Sequence, residues 1–431
     1  MAYGGGNYSA YNKTMPGAYI NFVSLNSAFT GAQERGVAAL GLEMSWGPEG
    51  ELVYVSADDM LRSSRALFGE EWGADALRPL REIFMNASGV ILCRVNVGGE
   101  TAQSALGTAK YPGAAGNRVK IVVRAESGGL FTVQTYEDNY LADTQTVASA
   151  ADLADNDFVR FNASAVLAES SGIAFTGGTD GEATSETHAA FLAKLEERTF
   201  NTLALASNDN VLKTLYRQFT VRMRDEVGVK FQTVLYNCAA DHEGVINVGC
   251  AAKGDDPAAF VYWAAGLNAG LQVNETALNR TYNGEYEPDD SYTVAQLSEK
   301  IADGIFTLHR VGDEVRVLAD INSLVSTTSE KGAIFKDNRV VRVADRIAAD
   351  AVTIFTEKYL GRIPNNASGR VSLWADLIAA LGALRDVGAI EEFDPGDITV
   401  DPGEDKNAVI VSQSVTVTGS MAKLYMTCIL G

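Results

Sequence analysis

Three histidines, His188, His242 and His309, are the side chains best suited to proton transfer near neutral pH, and none sits beside a recognisable nucleophile in the sequence. His188 falls in the first turn of an expected helix and His309 in an expected strand, where solvated or structural roles suffice. The strongest metal-ligand grouping is Cys238, Asp241, His242 and Cys250. A structural zinc site pairs its thiolates closely, whereas here one Cys–His pair is followed by a distant thiol, the pattern of a strand end, a polar turn and another strand. Gly177-Gly178-Thr179-Asp180-Gly181 precedes a helix and has the composition of an anion-binding turn. It lacks the Gly-Lys-Ser/Thr close of a nucleotide loop, no Gly-x-Gly-x-x-Gly follows a strand elsewhere, and it reads as the return from an inserted domain. The carboxylates Asp394, Asp397, Asp401, Glu404 and Asp405 lack the spacing of an EF-hand loop and read as a solvated acidic turn. No catalytic residue, cofactor or metal site is expected.

The elements that would position these residues alternate along a chain of 431 residues, too long for one ordinary core. A composition of 46% hydrophobic and 21% charged residues is that of a globular protein. Strands are expected over 18–23, 51–55 and 89–97, and helices over 56–68 and 74–85. Between Glu100 and Gly172 short strands at 119–124, 130–136 and 158–161 are separated by Gly, Asn and Asp turns, which predicts a small β domain inserted into the larger one. From 185 onward helix and strand alternate as in a parallel sheet: helix 185–198, strand 202–206, a helix with Leu212, Leu215, Phe219 and Met223 on one face, strand 231–236, and a helix after Pro257. A helix over 293–302 and a hairpin of 305–310 with 314–318 follow. Two long helices, 339–359 and 371–389, bury Val343, Ile347, Ala351 and Ile354 and then Leu373, Leu377, Leu381 and Leu384.

The two ends differ from everything between them. Residues 1–15 form a Gly- and Tyr-rich polar arm with no apolar face of its own, expected to order only on a partner, and no secretory h-region. From Asn407 to Thr418, Val409, Val411, Val415 and Val417 share one face at period two, and from Met421 to Gly431 so do Ala422, Leu424, Met426, Cys428 and Leu430. Gly419 and Ser420 separate the two runs, predicting a hairpin or kinked pair of strands. An apolar strand edge of that length is an aggregation hazard unless something pairs with it. The net charge of −20, from 35 basic and 55 acidic residues, opposes direct nucleic-acid contact and anionic membranes. No run of 18 apolar residues exists, so no membrane insertion is expected. The dispersed cysteines, Cys93, Cys238, Cys250 and Cys428, read as reduced.

Several short motifs, in order and at the right spacing, resemble the contractile tail sheath proteins of phages, R-type bacteriocins and related injection systems. Met15-Pro16-Gly17-Ala18-Tyr19-Ile20 resembles the start of the sheath core, and Ala109-Lys110-Tyr111-Pro112-Gly113 with Gly116-Asn117 the entry to its inserted β domain. The Gly-Gly-Thr-Asp-Gly element resembles the exit, and 359–370 with Met421-Ala422-Lys423-Leu424-Tyr425-Met426 the carboxyl-terminal domain. Ala422 stands where the family often has Glu. The resemblance implies an α/β (α+β) core with a small inserted β domain and terminal strands donated to neighbouring subunits. Its divisions are an arm at 1–15, a core at 16–99 and 173–334, an insert at 100–172 and a carboxyl-terminal domain at 335–431. It further implies a non-enzymatic helical homo-oligomer of stacked hexameric rings around an inner tail tube, with baseplate and tail terminator proteins as further partners. The subunit assembles in the bacterial cytoplasm and ends in a virion tail or bacteriocin particle. Subunit contacts are expected at Tyr8, Tyr11, Val415, Val417, Ala422, Leu424, Tyr425, Met426, Cys428 and Leu430, and Arg385 is a candidate for facing the tube. The competing readings are an intracellular α/β enzyme and a capsid or surface-array protein.

Overall fold

The computed structural model describes residues 35–430. The expected arm, the strand over 18–23 and the residues Tyr8 and Tyr11 lie outside the described residues. The chain divides into two compact units, one containing Ala39–Arg81 and Gly89–Glu196 and the other 35–38, 82–88 and 197–430.

In the first unit the strand Gly89–Arg94 is buried throughout and pairs antiparallel with Leu52–Ser56, Leu52 opposite Cys93 and Ser56 opposite Gly89. The helix Ala57–Phe68 starts on a reciprocal cap between Ser56 and Asp59 and ends at Gly69. Gly69 is required twice over: its φ is +66°, and a Cβ there would lie 2.9 Å from Cβ of Trp46. The inserted β domain contains a four-stranded antiparallel sheet in the order Ser170–Ala174, Val119–Ala125, Phe131–Glu137, Tyr140–Val147. Strand alternation fixes its register, because Val119, Ile121 and Val123 all point into one core with Val133, Phe158, Val159 and Phe175. Trp46 is sealed into that core, 5.4 Å from the Tyr111 ring and 5.7 Å from that of Phe158, with its indole N–H donated to Ala66 O.

The second unit carries four parallel strands in the order Thr202–Leu205, Gln232–Tyr236, Val245–Val248, Ile305–Phe306. The first three are buried along their whole length, Thr202, Gln232, Thr233 and Asn247 included, so they lack the alternation of a half-buried strand. The helix Phe260–Gly270 is almost entirely buried, and Thr202 Oγ1 donates to its Ala265 carbonyl at 3.0 Å. Next come the hairpin Leu308–Val311 with Glu314–Val317, turning at Gly312, and the helices Asn338–Ile354 and Ala367–Asp386. Asp337 and Asn366 cap these helices by accepting from Arg339 N and Gly369 N at 2.8 Å each. Leu373, Leu377, Leu381 and Leu384 meet Val343, Ile347, Ile390 and Ile398 in one core.

Four expectations need correction. The strand Val37–Leu42 has no counterpart in the periodic reading, since its buried Ala38, Ala39 and Leu40 form too short an apolar run to stand out beside Gly36. The expected strand over 305–310 breaks at Thr307, whose carbonyl accepts from Leu318 N. The acidic segment 394–405 is not only a turn: Ile398–Pro402 is a strand paired antiparallel with Val409–Gln413, Ile398 opposite Gln413. The run 407–418 is accordingly not one strand, and the chain closes on this hairpin rather than on one between 407–418 and 421–431. Alternation marks a half-buried strand but does not name its partner.

Leu381 is fully buried at the centre of the carboxyl-terminal core. Leu381→Ala is expected to lower stability by about 2–5 kcal/mol in a urea titration. A loss below about 1 kcal/mol would mean that the helices are not tightly packed there.

Candidate functional site

The clusters with chemical potential are spent on structure. In the Gly-Gly-Thr-Asp-Gly turn, Gly178 N donates to Asn117 Oδ1 at 2.8 Å and Thr179 N to Glu100 O at 3.1 Å. The Asp180 carboxylate projects from the turn and accepts from Ala114 N at 3.0 Å and Ser45 Oγ at 2.9 Å. An anion entering here would meet a carboxylate. Arg94, 1% exposed, donates to Pro112 O at 2.6 Å and Gly47 O at 3.2 Å, and lies 3.7 Å from both Glu49 and Asp180. The turn therefore clasps the entry and exit of the insert.

Of the four residues weighed for metal, only His242 belongs to a compact ligand group, together with Asp225 and Glu243. Cys250 is buried, with its thiol directed at the Ala251 and Asp289 carbonyls, and Asp241 caps Val325 N and Ser326 N. His242 Nδ1 accepts from Gly244 N at 3.0 Å, so Nε2 carries the proton and donates it to Asp225 Oδ2 at 3.1 Å. That tautomer leaves no Nε2 lone pair for an ion, and Lys331 Nζ already lies 2.7 Å from Glu243 and 3.9 Å from Asp225. Ser323 Oγ bonds the His242 backbone rather than the ring. His188 is buried on its helix, and His309 is half-buried in a strand opposite Arg316. Burial followed by the Arg316 charge holds the His309 pKa below its ordinary value.

Burial pushes the Asp225 and Glu243 carboxyls upward, but His242, Lys331 and Arg224 outweigh it and hold both at about 2. Their folded values lie below the ordinary 3.8 and 4.5, so the stability they supply is present above those values and lost as pH falls toward 2. Glu243→Gln is expected to flatten the fall in melting temperature between about pH 5 and pH 2.5. An unchanged slope would show that this cluster does not set acid stability.

The feature left over is the end of the chain. Val415 and Val417 are half-buried against their own core, Val417 is bridged to Ile390, and Thr418 N donates to Ala389 O at 3.1 Å. Beyond Thr418 the backbone makes no hydrogen bond among the described residues. Met421, Leu424, Tyr425, Met426, Ile429 and Leu430 are all at least 80% exposed, and Ala422 and Cys428 are exposed with them. A soluble subunit does not ordinarily display so continuous an apolar segment. Near its root the hairpin of 398–402 and 409–413 is a sheet of only two strands, short of a stable sheet's usual complement. Trp374 Nε1, donating to Ile398 O at 2.9 Å, fastens that hairpin to the 367–386 helix. Arg385 is exposed near the end of this helix, 2.8 Å from Asp386 and 3.6 Å from Glu392. The tail forms no strand among the described residues, so its alternation has no counterpart there, and the two-stranded hairpin beside it was hidden among acidic residues.

Comparison with known proteins matches three consecutive domain models: the phage tail sheath protein β-sandwich domain at residues 94–180, its central domain at 181–323 and its C-terminal domain at 330–430. The crystal structure of the sheath tail protein from Desulfitobacterium hafniense is 35% identical, covers 95% of this chain and 99% of that one, and superposes with a TM-score of 0.82. That of the Listeria innocua sheath tail protein is 31% identical over 93% and 96% of the two chains, with a TM-score of 0.78. The phage-like element PBSX protein XkdK of Bacillus subtilis is 30% identical over 98% of both chains. The helical sheath of the anti-feeding prophage in its contracted state, 13% identical over 97% and 99% of the chains with a TM-score of 0.53, shares the fold. With an inserted β-sandwich, a mixed α/β core and a carboxyl-terminal domain all in family order, this chain belongs to the phage tail sheath protein family.

Proposed function

We propose that the chain is the structural subunit of a contractile tail sheath whose copies are joined by donating residues 421–430 to a neighbour. The supporting observation is the exposure of Leu424, Met426 and Leu430, each at 80% or more, on a backbone with no ladder partner of its own among the described residues. Seated along an edge of a neighbour's hairpin of 398–402 and 409–413, the segment would turn two strands into three. Each main-chain bond contributes about 0.5–1.5 kcal/mol net. Each of Leu424, Met426 and Leu430 adds about 1.5–3 kcal/mol on moving from water into a covered face, and with the smaller Ala422 and Cys428 they supply both adhesion and register. Tyr425 would lie on the opposite face. Tyr8 and Tyr11 in the amino-terminal arm, and Val415 and Val417 at the tail's root, would complete the contacts between copies.

The division of labour follows. Residues 16–99 and 173–334 form the body, 100–172 the insert, and 335–431 the carboxyl-terminal domain that carries the exchange, with 1–15 as the second tether. The 367–386 helix, with Arg385 near its end, faces an inner tube. Stacked hexameric rings assemble around that tube in the bacterial cytoplasm, with baseplate and terminator proteins at the two ends, and the finished particle is a virion tail or a bacteriocin. No catalysis is required. Contraction is a rigid-body rearrangement between two lattice states in which the strand pairings persist while the bodies rotate and slide.

Removing 421–431 is expected to abolish polymer formation while the circular dichroism and melting of the subunit stay close to those of the full chain. Tubes of normal length seen by electron microscopy for the truncated chain would refute strand donation. A closed shell or flat array formed by the full chain would favour a capsid or surface-layer role instead.

A further inference from the structure

An ionic network is buried where no chemistry uses it. Arg342, on the 338–354 helix and 1% exposed, donates to Asp320 Oδ2 at 2.6 Å, to Asn268 Oδ1 at 3.0 Å and to Glu275 O at 3.0 Å. Arg35, the first described residue, donates from Nε to Leu271 O at 2.8 Å and from Nη2 to Asn268 O at 2.7 Å. These carbonyls lie at the end of the Phe260–Gly270 helix, where a cation answers both the unpaired acceptors and the helix dipole. Two guanidinium groups thus hold Asn268, one by its backbone and one by its side chain. Burial, followed by the charge of Arg342, pushes the Arg35 pKa down to about 9. An apolar cluster would hold a fold as well without that cost, so the network is better explained by the geometry it fixes.

What it fixes is the root of the chain's other end. Asn274 Nδ2 donates to Val387 O at 2.8 Å, and Arg339 Nη2 to Gly388 O at 3.3 Å. The next residues, Ala389 and Ile390, are buried. Thr418 N donates to Ala389 O and Glu391 N to Thr416 O at 2.9 Å, the last backbone bonds before the exposed tail. We infer that this block couples the two ends of the described chain: Arg35 is fixed to Asn268 and Leu271, and the root of the carboxyl-terminal tail at 416–418 to residues held by Asn274 and Arg339, so that both are anchored on one segment, 268–274, and on the 338–354 helix that carries Arg339 and Arg342. A pull arriving on one tether then passes to the other through hydrogen bonds of the block, of which those from Arg35, Arg342 and Arg339 are charged and about twice as strong as the neutral one from Asn274. The mechanical role rests on the reading of both ends as tethers; the coupling itself does not.

Amide hydrogen exchange on the free full-length subunit tests the coupling. Arg35→Met is expected to raise exchange at 35–38 and also, by about tenfold, at 387–391 and 416–418, while the amides of 232–236 are unchanged. A rise confined to 35–38 would overturn the inference. Asn274→Ala alters an exposed side chain and so spares the core. Because coupling is reciprocal, Asn274→Ala should raise exchange at 35–38 as well as at 416–418, and an unaltered 35–38 would equally overturn it. Failure of strand donation shows separately, as normal polymerisation of the chain lacking 421–431.

Discussion

The constraint on which the rest depends is that backbone donors and acceptors must be paired wherever water is to be excluded. Inside both units this holds: strands are laddered, helix starts are capped by Ser56, Asp337 and Asn366, and the turns around the insert spend their amides on Asn117, Glu100 and Asp180. Past Thr418 it does not hold. The last ten described residues carry backbone groups with no partner among the described residues, together with six apolar side chains at least 80% exposed. A segment that is both unpaired and apolar there is the place where the strand donation proposed above would act.

The same contrast separates what moves from what does not. The carboxyl-terminal core, with Leu373, Leu377, Leu381 and Leu384 packed on Val343 and Ile347, is dense and resists deformation. Contraction of a lattice built from such bodies changes how they meet rather than how they fold. No nucleotide-binding turn or paired nucleophile and base is brought together among the described residues. The charged clusters serve rigidity instead: Arg94 clasps the insert, Arg342 with Asp320 fixes the block beneath the tail, and Lys331 bridges Asp225 and Glu243.

Much of this was legible in the sequence because the determinants are local. Period two at 119–123 and the leucine spacing from 373 to 384 each report a face, and faces are what strands and helices are built from. What escaped notice depends on partners distant in the chain. Val37–Leu42 is buried by elements remote in sequence, so its small side chains carried no periodic signature. Ile398–Pro402 is a strand because Val409–Gln413 lies beside it, although Asp397 and Asp401 make it look solvated. The tautomer of His242 is set by Gly244 N, a contact that residue types alone do not reveal. Arg35 and Asn274 likewise take their roles from Leu271 O and Val387 O, partners that residue types alone do not reveal.

The central claim concerns burial of the tail between copies, and the chain provides its own reporter. Cys428 is an exposed thiol on the apolar face of that tail, whereas burial pushes the Cys93 and Cys250 thiols up to about 11 and about 12. Maleimide labelling followed by peptide mass analysis, on free subunits and on assembled polymer, measures the accessibility of Cys428 directly. Rapid labelling in the free subunit and protection by at least about tenfold in the polymer is the predicted result. Equal labelling in both states would leave the tail outside every contact between copies, and strand donation would be wrong.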